Sequence, residues 1–226
     1  MEFASFFNSL GVEVTVIEML DEILGGMDKE LSAMLRVEYA KRGIKFMLNT
    51  KVVSLDGSAG ENGETQVRVN YENAEGTGFS VAEKLLMSVG RRPVTKGFGL
   101  ENLNPEKTER GNIRVDGQMR TSVTGVYVCG DLTGFSLLAH TAVREAEVAV
   151  HAVLGKKDCM SYRAIPGVVY TNPEIAGVGD TEEALQKKGI PYRTVKLPMA
   201  YSGRFVAENE GVNGCLLYTS PSPRDS

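Results

Sequence analysis

Gly125-Val-Tyr-Val-Cys-Gly-Asp131, followed shortly by Leu138-Ala-His-Thr-Ala-Val-Arg-Glu-Ala146, is the stretch on which the reading of this chain turns. Val126 to Cys129 form an apolar run that stops at Gly130-Asp131, the pattern of a buried strand ending in a carboxylate. Positions 139, 142, 143, 146, 149, 150 and 153 are apolar or small, a one-faced stripe that predicts a helix packed under a sheet. Parallel sheets bind ligands beyond the carboxyl ends of their strands, so Asp131 and the first amides of the helix face the place where a ligand would lie. A Gly-Asp pair by itself is equally an ordinary strand-capping turn, and most of the stripe is core under either reading.

The N-terminal fifty residues predict an α-β-α-β order. Apolar residues at 3, 4, 6, 7 and 10 stop at Gly11 like the end of a helix, and Val12 to Glu18 is a β-branched strand ending in an acid. Met27 to Arg42 is an amphipathic helix with apolar residues at 27, 31, 34, 35 and 39. Gly43 ends it, and Ile44, Phe46 and Leu48 begin a second strand. That order implies a right-handed parallel sheet. In a dinucleotide-binding fold the strand-end acid follows the G-x-G-x-x-G fingerprint by about 20 residues and takes the adenosine ribose hydroxyls. Glu18 has that place, but the glycines are missing, and counting back sets them just before Met1, as if the chain began inside the motif. Glu18 is otherwise a solvated strand-end charge. The sequel Met19-Leu20-Asp21-Glu22 offers no arginine for a 2′-phosphate, which favours NAD over NADP.

Residues 50–92 predict a small antiparallel meander: Lys51 to Leu55, a turn from Gly57 to Gly63, Thr65 to Tyr71, a turn through Gly76 and Gly78, and Lys84 to Gly90. A strand hairpin is expected around Asn112 to Asp116. Ile165 to Tyr170 and Ile175 to Val178 predict two short strands. Asp180 or Thr181 caps a helix to Lys188, with Glu183 completing a capping box and Gly189 ending it. Tyr192 to Leu197 is the next strand.

Composition narrows the function classes. With 226 residues, 42% hydrophobic, and a net charge of -4 with dispersed acids, nothing supports nucleic-acid binding. Apolar runs are strand-sized and the N-terminus lacks a signal-peptide order. Three cysteines, 129, 159 and 215, are an odd, widely spaced set that fits a reducing cytoplasm and neither a disulfide framework nor zinc. His140 and His151 lack a ligand cluster, so no metal is expected.

Gly130-Asp131 with Leu137-Leu138-Ala139-His140 resembles the second flavin-contacting segment of the FAD-dependent pyridine nucleotide-disulfide oxidoreductases. Val89-Gly-Arg-Arg-Pro93 and Val169-Tyr-Thr-Asn-Pro-Glu174 resemble two further signatures of that family, in the right order. The resemblance implies an α/β chain in three parts: a Rossmann-like NAD-binding domain, truncated at its start, over 1–94; the C-terminal part of an FAD-binding domain over 95–158; and the start of an α+β dimerisation domain over 159–214. It implies NAD contacts at Glu18, Val52 and Gly90, and FAD contacts at Asp131, Leu137, Leu138, Ala139 and His140. Among the family's members the chain is most similar to those that oxidise protein-bound dihydrolipoamide to give NADH. That implies a homodimer acting on a lipoyl carrier protein of a 2-oxoacid dehydrogenase or glycine cleavage complex.

The family's C-x4-C disulfide, its first FAD fingerprint and its C-terminal His-Glu pair do not occur in the 226 residues, so the catalytic groups are expected outside this chain, which alone would be inactive. Residues 215–226 back-translate to something similar to a sequencing-library transposon adapter and are expected to be read-through. Two other readings stay open: another flavin disulfide reductase of the superfamily, and a non-catalytic nucleotide-binding or dimerisation module.

Overall fold

Local sequence explains most element boundaries in the computed structural model, which describes residues 1–59, 65–209 and 215–220. Helix α1 (Glu2–Ser9) closes at Gly11, whose φ is 80°, and leads into β1 (Thr15–Ile17). Helix α2 (Lys29–Lys41) starts where the Asp28 side chain accepts from the Glu30 amide at 3.0 Å. It buries Ser32, Leu35 and Tyr39, spaced three and four residues apart, and leaves Met34 exposed. Strand β2 (Lys45–Met47) then pairs parallel with β1, Val16 opposite Phe46, the α-β-α-β order expected.

Strands β3 (Lys51–Ala59), β4 (Thr65–Asn73) and β5 (Gly76–Ala82) form the antiparallel meander, with Leu55 opposite Val69 and Val69 opposite Ser80. Its third strand differs from the expected one. The supposed turn through Gly76 and Gly78 is itself β5, because the tight turn comes earlier, where the Glu75 amide donates to the Asn73 side chain at 2.9 Å. Lys84 to Gly90 runs exposed and outside any strand. The turn expected from Gly57 to Gly63 lies largely outside the described residues, as do residues 221–226 of the adapter-like tail.

The chain divides into two compact units, Met1–Leu86 with Pro166–Ser226, and Met87–Ile165. In the first, Ile23, Leu35, Tyr39, Ile44 and Ile175 form the core. Strands β6 (Gly167–Val169) and β7 (Ile175–Gly177) pair antiparallel around the Thr171-Asn-Pro turn, and Tyr39 fastens that turn to α2: its hydroxyl meets Ser5 Oγ at 2.5 Å, donates to the Asn172 carbonyl and accepts from the Asn172 amide. Helix α4 (Glu182–Lys188) is capped by Thr181, which accepts from the Ala184 amide at 3.2 Å, and ends at Gly189. With Thr181 as the cap, Glu183 is one position too early for a capping box. It accepts instead from the Lys29 amide at 3.2 Å, in the first turn of α2. Strand β8 (Arg193–Pro198) precedes α5 (Gly203–Asn209) and pairs antiparallel with β9 (Cys215–Ser220).

The second unit is built on Leu100, Ile113 and Val128, with Val115 and Leu132 packed against them. Neither the strand expected over Val126 to Cys129 nor the hairpin near Asn112 forms a ladder. Tyr127 makes a single antiparallel bridge with Arg120, and Ile113 one with Lys107. A ladder needs a neighbouring strand to pair with, and this segment has only those isolated bridges.

Candidate functional site

Helix α3 (Ala139–Val153) lies beneath the Gly130-Asp131 turn and fixes its shape. The turn is a single 3-10 stretch, Gly130–Leu132. Gly130 has φ 74°, and a Cβ there would sit 3.4 Å from Ala142 Cβ, so the turn combines a left-handed backbone with a close approach to the helix. Gly134 is under a harder constraint, since a Cβ would fall 2.5 Å from Asn112 Cγ. Thr133 Oγ1 donates to the Gly130 carbonyl at 2.9 Å, and Asn112 Nδ2 donates to the Asp131 carbonyl at 3.4 Å. The Asp131 side chain points outward: it is exposed, and its carboxylate makes no hydrogen bond or ion pair among the described residues.

Leu137, Leu138, Ala139 and His140 are all exposed at the start of α3. Leu138 occupies the cap position and has no side-chain acceptor, so the helix begins without a side-chain cap. Its first-turn amides, at the positive end of the helix dipole, are left without a side-chain cap. The apolar stripe assigned to α3 is turned relative to expectation. The buried residues are Thr141, Glu145, Val148 and Ala152, while Val143, Val150 and Val153 are more than half exposed. A helix with small or apolar residues on several sides leaves the choice of inner face to what packs against it.

Glu145 is the residue that the sequence reading missed. Fully buried, it accepts from the Gly130 amide at 2.5 Å through Oε2 and from the Tyr162 hydroxyl at 2.7 Å through Oε1. The Tyr162 ring stacks on Phe135, centroids 4.8 Å apart. Burial and then the bond to Glu145 hold the Tyr162 phenol above its ordinary range, and burial followed by the charge of Glu145 raises the Cys129 thiol. No sequence signal distinguishes Glu145 from its charged neighbours, half-buried Arg144 and exposed Glu147.

In the first unit, Glu18 is half-buried just after β1. Its amide donates to the Met47 carbonyl at 2.9 Å and its carbonyl accepts from Thr50, while Oε1 accepts from the Leu20 amide at 2.9 Å. The carboxylate is thus oriented with its other oxygen unused among the described residues. The cations downstream are spoken for: Lys29 meets Asp21 at 2.6 Å, and Arg36 grips Glu22 through three contacts of 2.8–3.1 Å. Val52 stands on β3, opposite Tyr71 beside a bulge, and is 41% exposed. Gly90, with φ 105°, belongs to the second unit, along with Asp131 and Leu137 to His140.

Residues 1–146 match the pattern of the family described as pyridine nucleotide-disulphide oxidoreductase, and residues 165–217 match the dimerisation domain of that family. Dihydrolipoyl dehydrogenase 1, mitochondrial, of Arabidopsis thaliana is 39% identical over 206 residues, which cover 90% of this chain and 40% of the relative. Dihydrolipoyl dehydrogenase of Thermus scotoductus is 41% identical over 206 residues, covering 90% and 43%. Among solved structures, LpdA of Mycobacterium tuberculosis superposes with a TM-score of 0.84 at 28% identity, over 98% of this chain and 46% of that one. The chain thus spans about 40% of the length of the curated relatives it matches.

Proposed function

The chain belongs to the pyridine nucleotide-disulphide oxidoreductase family, and from that premise we propose that it supplies the NAD-facing and part of the FAD-facing surface of a dihydrolipoyl dehydrogenase. The observation that carries the reading is the pairing of an outward, unpartnered Asp131 carboxylate with the start of α3, which no side chain caps. An acceptor beside a row of donors suits a ligand that presents both hydroxyls and an electron-rich edge.

The donor set fits the two cofactors. Asp131 accepts from ribitol hydroxyls, and the first turn of α3, with Leu137, Leu138, Ala139 and His140, sets partial positive charge beside the flavin. Glu18, already oriented by the Leu20 amide, accepts from the adenosine ribose with its second oxygen. Val52 lies against the adenosine, and Gly90 lets the backbone approach the nicotinamide nucleotide. The pairing of Lys29 with Asp21 and of Arg36 with Glu22 leaves neither cation for a 2′-phosphate, which supports NAD. Flavin, when bound, supplies hydride exchange with the nicotinamide; the protein contributes placement and electrostatics.

The domain assignment that goes with this reading is residues 1–94 for NAD, 95–158 for FAD and 159–214 for pairing of two subunits. The redox disulfide and the His-Glu acid-base pair come from the rest of the enzyme, and the carrier is a lipoyl protein. We assign it to the cytoplasm, the reducing compartment that an odd, widely spaced set of cysteines fits.

The test is a chimera in which residues 1–209 replace the matching stretch of the Thermus scotoductus relative. It should retain FAD through gel filtration and reduce NAD+, not NADP+, with dihydrolipoamide. A folded chimera that binds no flavin, or that turns over only with NADP+, contradicts the proposal.

A further inference from the structure

We propose that Glu145 is the positioning residue of the Gly130-Asp131 turn: its buried carboxylate holds the turn against α3 so that Asp131 faces outward, and it ties the same turn to Tyr162. The first half rests on the geometry alone. The role in cofactor placement rests on the reading of Asp131 given above.

Three observations converge on this residue. Glu145 is the one fully buried acid of the described core, and no ion pair to it occurs among the described residues. A carboxylate out of water without a cation is costly unless firm donors meet it. The firm donors here are the Gly130 amide at 2.5 Å and the Tyr162 hydroxyl at 2.7 Å, one to each oxygen. Thr133 Oγ1 also lies 3.3 Å from Oε1, but its proton goes to the Gly130 carbonyl at 2.9 Å. Both backbone groups of Gly130 are therefore held, its amide by Glu145 from α3 and its carbonyl by Thr133 at the end of the turn itself. Asp131, the next residue, is exposed.

The connection to Tyr162 has a second consequence. Tyr162 lies just before the segment that leads into β6, and its ring is stacked on Phe135 within the loop between the turn and α3. One carboxylate thus joins the Asp131 turn, the approach to α3 and the exit of the second unit. A purely apolar residue at 145 would fill the space but leave the Gly130 amide buried and unpaired.

The experiment uses the full 226-residue chain with Glu145→Ala, Glu145→Gln, Glu145→Leu and Tyr162→Phe, followed by amide exchange at Gly130 and tyrosinate absorbance. In Glu145→Ala the Gly130 amide should exchange about tenfold faster, the factor corresponding to loss of one ordinary hydrogen bond. Glu145→Gln should restore most of that protection, because its carbonyl still accepts from Gly130 while its amide donates to Tyr162. Bulk alone should not rescue: Glu145→Leu, which fills the space without an acceptor, should leave the Gly130 amide exchanging as in Glu145→Ala. In Glu145→Gln one tyrosine, absent from the Tyr162→Phe titration, should move down toward the ordinary phenol range.

A folded Glu145→Ala chain with wild-type exchange at Gly130 overturns the proposal. If the alanine chain does not fold, Glu145→Gln decides: a shifted Gly130 amide resonance with an earlier tyrosine titration supports it, and wild-type behaviour in both overturns it. These readouts need no flavin. A failure of the cofactor reading shows instead as a folded chimera without FAD.

Discussion

Asp158 gathers the end of α3 into one place. Its carboxylate takes Arg144 at 3.0 and 2.7 Å and His151 Nδ1 at 2.7 Å, and the Cys159 amide donates to it at 2.8 Å. The bonds from Arg144, then from His151, hold its carboxyl well below the usual carboxylate range. A carboxyl depressed in the folded state stabilises above its unfolded pKa, and the effect is lost as pH falls toward the folded value. The stability gap between wild type and Asp158→Asn should therefore be widest near neutrality and shrink progressively as pH falls below about 4, as measured by urea midpoints across pH. A gap as wide at about pH 2 as at about pH 7 contradicts the assignment. Tyr162 has the opposite sign: raised by burial first and by Glu145 second, it favours the folded chain until pH climbs past about 10.

Helix α3 shows how an element can be found correctly and turned wrongly. Its span follows from periodicity, and its end from Gly155, but Ala142, Ala146 and Ala149 are half-buried and fit either side, so the stripe read through 143, 150 and 153 points to solvent. Val148, fully buried, is the working core residue. Val148→Ala should cost roughly 2 kcal/mol of unfolding free energy, the scale of removing buried methyl groups. Val150→Ser should stay within about 0.5 kcal/mol. A larger cost for Val150→Ser than for Val148→Ala would mean that the expected face is the buried one.

The better-read elements carry their own punctuation. Asp28 and Gly43 bound α2, Thr181 and Gly189 bound α4, and alternation marks β3 and β4. Strand pairing was harder to read, because it depends on a neighbour that the segment itself does not name. That is why Val126 to Cys129 looked like a strand and forms one bridge, and why Gly76 to Ala82, glycine-rich and polar, looked like a turn and forms β5.

At the scale of the molecule, the first unit draws α2 and β7 into one core through Ile175, with Tyr39 bonded to the Asn172 backbone. Residues far apart in sequence meet there, and periodicity alone does not announce such a junction. The candidate site was more legible than the packing: Glu18, Asp131 and the Leu137 to His140 segment stand at element ends, where motif and geometry coincide. Glu145 and Asn112, which shape the turn from behind, were not, because their roles depend on burial and on contacts made in three dimensions.

In the proposed enzyme, the redox disulfide and the His-Glu pair are encoded next to this chain. Sequencing the source DNA on both sides of the reading frame tests that most directly. We predict two glycine fingerprints and a C-x4-C upstream, and a His-Glu segment downstream. Authentic start and stop codons bracketing residues 1–226 would contradict the enzyme reading and leave a nucleotide-binding or dimerisation module in its place.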